Sequence, residues 1–231
     1  MCFSAAASLA TGVALLPAGA YCLQAAMRKN RAYLPLAVTP LLFGVQQLCE
    51  AGVWLGLHHD DPGLVKPSAL GFLFFAYAFW PFWVPFVAWV IEVQNPKRRL
   101  FAALAVVGLG LGGTSYVPAA ANYDTTVIVR HVDHSIQYDL TELPLAREVA
   151  GTVWLALYMA AVCCPLLLSS ERRLPLLGVS ITVAAVVTHV MFRYAFASVW
   201  CFFAALLSLH FCYLLYRLPA PDTNSNETAR R

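Results

Sequence analysis

Glu50 is the residue of this chain best placed to do chemistry, because the apolar run from Leu34 to Leu57 continues on both sides of it. A carboxyl inside hydrocarbon costs several kcal/mol unless it is neutral, paired or turned toward a cavity. Gln46, Glu50 and Trp54 recur at i, i+4 and i+8, and Gln47 stands three residues before Glu50, so two amides, an acid and an indole share one helical stripe. Such a stripe belongs on a helix face turned toward protein. Farther along, His189 and Arg193 are again four apart, and the orientation argued below puts them in the same half of the membrane as Glu50. The three are expected to form one polar cluster. It would be catalytic in an enzyme, a proton or ion relay in a transporter or sensor, and in a structural role only a set of hydrogen bonds pinning helices together.

Aromatic residues supply the second signal. The stretch GFLFFAYAFWPFW carries Phe72, Phe74, Phe75, Tyr77, Phe79, Trp80, Phe82 and Trp83, and a later group holds Phe192, Tyr194, Phe196, Trp200, Phe202 and Phe203. Membrane proteins use such rings as interfacial belts, but successive helical residues step by about 100°, so runs this dense also face inward. Pro81 and Pro85 interrupt backbone hydrogen bonding there and are expected to widen a cavity. An inward wall containing Phe75, Tyr77, Phe79, Trp80, Trp83, Tyr194 and Trp200 beside one acid suits an apolar substrate that passes through a carbocation. The π faces stabilise the cation and the carboxyl delivers a proton.

Other chemistries find less support. His131 and His134 in HVDH, and the run His58 to Asp61, bring imidazoles and carboxylates together, but two histidines three apart on a hairpin do not share a face and no third ligand is set by spacing. They are read as loop histidines, with a metal-dependent hydrolase kept as an alternative. His210 reads as a satisfied packing residue. Within the expected spans there is no lysine for a retinal-type Schiff base, and no GxxxxGK[ST] pattern for phosphates, so no cofactor is expected. GLGLGG at Gly108 to Gly113 reads as a surface for close helix approach. The seven cysteines include no CxxC pair, and most are read as small apolar residues.

The elements that position these residues follow from composition. Of 231 residues 60% are hydrophobic and only 12% charged, too little polar surface for a soluble globule of this size. Spanning the hydrocarbon takes about 20 apolar residues. The runs predict an all-α polytopic membrane bundle with seven transmembrane helices near Phe3–Ala26, Leu34–Leu57, Ser68–Ile91, Leu100–Ala120, Glu148–Ser169, Leu174–Tyr194 and Ser198–Tyr216. Arg28, Lys29 and Arg31, then Lys97, Arg98 and Arg99, then Arg172 and Arg173, then Arg217, Arg230 and Arg231 fall on alternate sides, which predicts an N-out/C-in topology in the cell membrane. The long connection Asn122 to Ala146 between the fourth and fifth helices is rich in β-branched residues and predicts a short external hairpin, a lid over the outer mouth. Residues 1–218 form the membrane domain and 219–231 a disordered cytoplasmic tail. The net charge of +3 lies mostly on one side and gives no reason to expect a nucleic-acid partner. The partners expected are membrane lipid and an apolar small molecule or lipid substrate, with oligomeric state left open.

MCFSAAASL, PLLFGVQQLCEAGVWL, GFLFFAYAFWPFWVP and RYAFASVWCFFAALLSL together resemble a bacterial family of uncharacterised seven-helix membrane proteins, over most of the chain. A looser similarity is to the small membrane-bound terpene cyclases, which have about seven helices and an acid in the second. That resemblance implies a proton-initiated cyclase (an isomerase or lyase) with Glu50 as its acid. Those enzymes also use a late acid, which this chain lacks in its sixth and seventh helices, leaving His189 or Arg193 as the polar substitute. The alkaline ceramidase group would require an HxxxH pair in the last helix, and His210 has no such partner.

Overall fold

The computed structural model describes residues 4–140 and 149–217. Ser4 caps α1 (Ala5–Lys29) by accepting from the Ala7 N–H at 3.2 Å. A 3₁₀ turn (Arg31–Tyr33), α2 (Leu34–Ala37) and α3 (Thr39–His58) make the second span. The third is one continuous rod, α4 (Pro62–Leu73), a π-helical turn (Phe74–Phe79) and α5 (Trp80–Ile91). Then come α6 (Asn95–Ala121), the short α7 (Tyr123–Thr126), strands β1 (Ile128–Val132) and β2 (Ser135–Asp139), α8 (Val149–Leu168) and α9 (Leu174–Met191). A 3₁₀ turn (Arg193–Ala195) leads into α10 (Phe196–Leu207) and α11 (His210–Tyr216). Among the described residues, seven helical segments are long and apolar enough to cross a membrane, so the chain is a polytopic, all-α membrane protein. Glu148 and the tail beyond residue 217 lie outside the described residues.

Lipid-facing and protein-facing positions separate by helical phase. On α9, Leu176, Val179, Val183 and Val190 are exposed while Leu177, Ile181, Ala185 and Thr188 are buried, the inverted amphipathicity of a helix whose outer solvent is hydrocarbon. Several helices run farther than apolarity alone predicts. Pro62 and Pro96 stand at first-turn positions, so α4 takes in Lys66, and α6 takes in Lys97, Arg98 and Arg99. The expectation of lysine-free helices therefore fails at helix ends only. Lys66 is exposed and paired with Asp124 at 2.8 Å.

The π-helical turn has a local cause. Pro81 has no N–H to offer the carbonyl of Tyr77, so the rod widens just before it, and Trp80 N–H bonds back to the Phe75 carbonyl. The neighbouring Ala76 carbonyl accepts from the Tyr158 hydroxyl of α8 at 2.6 Å. Pro85 likewise leaves the Pro81 carbonyl unserved by its own helix, and Gly108 of α6 packs directly over it: a Cβ at Gly108 would lie 1.9 Å from that oxygen. Gly108 and Gly112 of the GLGLGG stretch thus make the expected close helix approach, whereas Gly110 and Gly113 face open space.

At the arginine-rich end, Glu92 ties two connections together. Its carboxylate accepts from the N–H groups of Val93 (3.0 Å), Gln94 (2.9 Å) and Ser170 (2.9 Å), and Lys97 reaches the Ser170 hydroxyl at 3.1 Å. Burial pushes the Glu92 carboxyl up, but these donors outweigh it and leave it below its ordinary value. At the opposite end the hairpin closes through Asp133 in the left-handed region (φ 52°), pairing Val132 with Ser135. Its β2 strand turns Ile136 and Tyr138 into the bundle, packed on α10.

Gly108→Ala should force α6 away from α5 and cost about 1–3 kcal/mol of unfolding free energy in detergent, whereas Gly110→Ala should be neutral or slightly stabilising; equal effects would show that the close approach is not limiting. For Glu92, a depressed value means that its contribution is full above an unfolded-state pKa of about 4.3 and is lost as pH falls through the lower folded value. Thermal unfolding of Glu92→Gln should therefore lie below wild type at pH 7 and converge with it at acid pH.

Candidate functional site

Gln46, Gln47 and Glu50 are all buried, with 1% or less of their surface exposed. Their stripe faces the bundle interior as the i, i+3, i+4 spacing predicts. Gln47 Nε2 donates to Glu50 Oε2 at 3.3 Å. The other carboxylate oxygen accepts from the hydroxyl of Ser198, which the 3₁₀ turn and first residues of α10 bring across from the last span. Gln46 Oε1 accepts from the indole of Trp80 at 2.7 Å, and Phe43 stacks on that indole with centroids 3.9 Å apart. Three spans thereby meet at the stripe of Gln46, Gln47 and Glu50.

The cluster is rich in polar atoms still waiting for partners. Gln47 Oε1, Trp54 Nε1 and Tyr138 Oη are buried and have no hydrogen-bond partner among the described residues, while the Gln46 amide faces the Cys201 thiol. Tyr138 arrives from β2, stacks on Phe72 at 4.7 Å and packs in the same apolar cluster as Trp54 and Cys201. Burial first, and the neighbouring Glu50 carboxyl second, push its phenol well above its ordinary range. Neither Tyr138 nor Ser198 was marked by spacing: one lies in a hairpin, the other is a serine in an apolar helix, where serines commonly bond their own backbone.

His189 and Arg193 do not join this cluster, and the expected triad needs correction. Helix α9 stops at Met191, and Phe192 (φ −133°, ψ 41°) breaks the helical phase, so the four-residue relation no longer puts the two side chains on one face. The inward position is taken by Thr188, with 0% exposure, while His189, Arg193 and Tyr194 are exposed. His189 stands edge-on to Phe196 at 6.0 Å. His210 Nε2 is buried without a partner among the described residues, so it is not the satisfied packing residue expected. His131 packs edge-on to Trp54 at 5.0 Å and His134 sits in the hairpin turn. Among the described residues no group of three His, Cys, Asp or Glu side chains could hold a metal.

The aromatic residues divide into wall and support. A narrow cavity of about 50 Å³ between the spans, in their arginine-rich half, is lined by Phe43, Trp80, Trp83, Tyr158, Trp200 and Phe211 among mostly aliphatic neighbours. A second, of about 140 Å³, is lined by Tyr77, Trp154, Tyr158, Phe196 and Trp200. A third, of about 420 Å³, is a groove between α8 and α9 that includes Met159, Cys163, Thr182 and His189. Tyr158, Trp200 and Cys201 are walls common to the first two, and Leu155 and Phe196 to the second and third. Phe75 and Phe79 line none of them; they brace Trp80 and Trp83 at 6.0 Å and 5.1 Å. Glu50 lines none either.

Fold and site together define a seven-span membrane bundle with a buried acid–amide cluster beside a ring-lined hollow. The chain belongs to a family of unknown function (DUF6629), whose model matches residues 1–226. No curated protein and no solved structure matches it, so the looser similarity to terpene cyclases gains no support from known proteins.

Removing the Ser198 hydroxyl should leave a buried carboxylate oxygen short of a donor. Ser198→Ala is expected to cost about 1–3 kcal/mol, and a double-mutant cycle with Glu50→Gln should give a coupling of at least about 0.5 kcal/mol. Strict additivity in detergent unfolding would mean that the two side chains do not interact.

Proposed function

We propose that the protein takes an apolar chain, isoprenoid or acyl, laterally from the bilayer into the groove between α8 and α9 and seats its end among the tryptophans between the spans. The observation that carries this reading is the row of three cavities sharing Leu155 and Phe196, then Tyr158, Trp200 and Cys201. Their linings are dominated by apolar and aromatic side chains, as in small-molecule sites generally, and the groove alone falls within the ~300–1,000 Å³ usual for such sites. The inner spaces are far smaller, so the occupant is slender at its buried end. His189 is the one imidazole on the groove wall and suits the polar head of such a molecule. The Lys and Arg distribution supports a cell-membrane location with the amino terminus away from the cytoplasm.

Chemistry on the bound chain is the second reading, favoured by the unpartnered donors and acceptors around Glu50. Proton-initiated cyclisation requires the acid to touch the chain. Glu50 reaches the cavity wall only indirectly, through the Gln46–Trp80 hydrogen bond and the turn from Ser198 to Cys201. A proton or ion relay would use the same cluster without touching the chain.

A diazirine-bearing farnesyl or palmityl probe should photolabel α8, α9 and α10 in proteoliposomes. Leu155→Trp, which fills the shared wall, should cut labelling of the α10 peptide at Trp200 by about tenfold while labelling at Cys163 persists. Labelling spread evenly over all lipid-facing helices would remove the binding proposal. Turnover of a prenyl substrate, or proton flux, lost in Glu50→Gln with photolabelling unchanged, would establish the second reading in addition.

A further inference from the structure

Six of the seven cysteines lie among the described residues as free thiols, and two of them meet. Cys22 of α1 and Cys212 of α11 hold their sulfurs 2.9 Å apart. A disulfide is about 2.05 Å long, so less than about 1 Å of approach separates this pair from covalent contact. The pair is distinct from the Glu50 cluster and from the groove. Cys22 is fully buried in an apolar cluster with Leu36, Leu174 and Phe211, and Cys212 is half-buried at its edge.

The surroundings hold the sulfurs in register. Cys212 also faces the Ala18 carbonyl, 3.6 Å away and one helical turn before Cys22. Toward the arginine-rich end, the Lys29 ammonium donates to the carbonyls of Leu215 at 3.2 Å and Tyr216 at 2.6 Å. The first and last helices are therefore pinned to each other at the sulfur pair and again at Lys29, toward the arginine-rich end. No polar network explains why two thiols, rather than two aliphatic side chains, fill this contact.

We propose that Cys22 and Cys212 are an oxidisable pair, which closes to a disulfide tying the first helix to the last. A two-electron oxidant of the diazene class balances the step. The more accessible Cys212 sulfur adds across the N=N bond. The Cys22 sulfur then displaces the resulting hydrazide, one S–S bond forms, and both thiol hydrogens end on the two nitrogens. A dithiol reverses it by exchange. Leu36 and Phe211, neighbours of Cys22, also line the narrow cavity between the spans, so the bridge fixes the part of the cavity wall where the two ends of the chain meet. It also joins residues 190 apart in sequence, a long loop whose closure restricts the unfolded chain.

The test uses the full-length protein in proteoliposomes treated with diamide, then denatured and labelled with a maleimide of known mass. Untreated protein takes up seven labels, one for each cysteine. Oxidised protein should take up two fewer, with a Cys22–Cys212 cross-linked peptide in the mass spectrum. The midpoint of thermal unfolding should rise by roughly 5–10 °C, and dithiothreitol should restore both values. Cys22→Ser and Cys212→Ser should each keep every remaining thiol labelled after diamide. The peptide map of the wild type decides the matter even if a variant fails to fold: full labelling after oxidation, or a bridge mapping to other cysteines, overturns the proposal.

Discussion

Inside hydrocarbon a peptide group has no water to bond, so each N–H and C=O must be satisfied within the protein. Pro81 breaks that rule locally, since it removes the donor that the Tyr77 carbonyl would use. The rod responds with the π-helical turn Phe74–Phe79, and the Ala76 carbonyl takes the Tyr158 hydroxyl of α8 instead. That bond sets Tyr158 against Trp200 at 5.7 Å, and the two rings wall both inner cavities. Gly108 completes the arrangement by letting α6 cover the exposed Pro81 carbonyl. Two missing N–H groups, those of Pro81 and Pro85, thus lie behind contacts that α8 and α6 make with the third span.

Polar and apolar functions are kept apart although they share walls. The acid and its amides share a buried cluster with Ser198, Trp80 and the hairpin's Tyr138, where each unpaired atom is costly. The innermost cavity has Trp80 and Cys201 in its wall and is lined almost wholly by apolar surface. An apolar ligand in the cavities would therefore sense the cluster through the indole of Trp80, whose N–H is held by Gln46.

Much of the architecture was legible because lipid imposes few solutions. Seven apolar runs and the inward stripe of Gln46, Gln47 and Glu50 followed from period and composition, whereas the earlier helix starts at Pro62 and Asn95 did not. The site was legible only along single helices. His189 and Arg193 looked like partners because four-residue spacing assumes an unbroken helix, and Phe192 breaks it. Phe75 and Phe79 looked like cavity wall because density of rings says nothing about which ring faces the hollow and which braces its neighbour.

By itself, then, the sequence determined that this chain lives in a membrane, how many times it crosses, and which face of its second span turns inward, since all three depend on hydrophobicity and helical period. Only the tertiary structure decided that Ser198 reaches Glu50, that a groove forms between α8 and α9, and that Cys22 touches Cys212. These are contacts between residues as many as 190 apart in sequence, made by the way helices cross, and no local periodicity encodes a crossing.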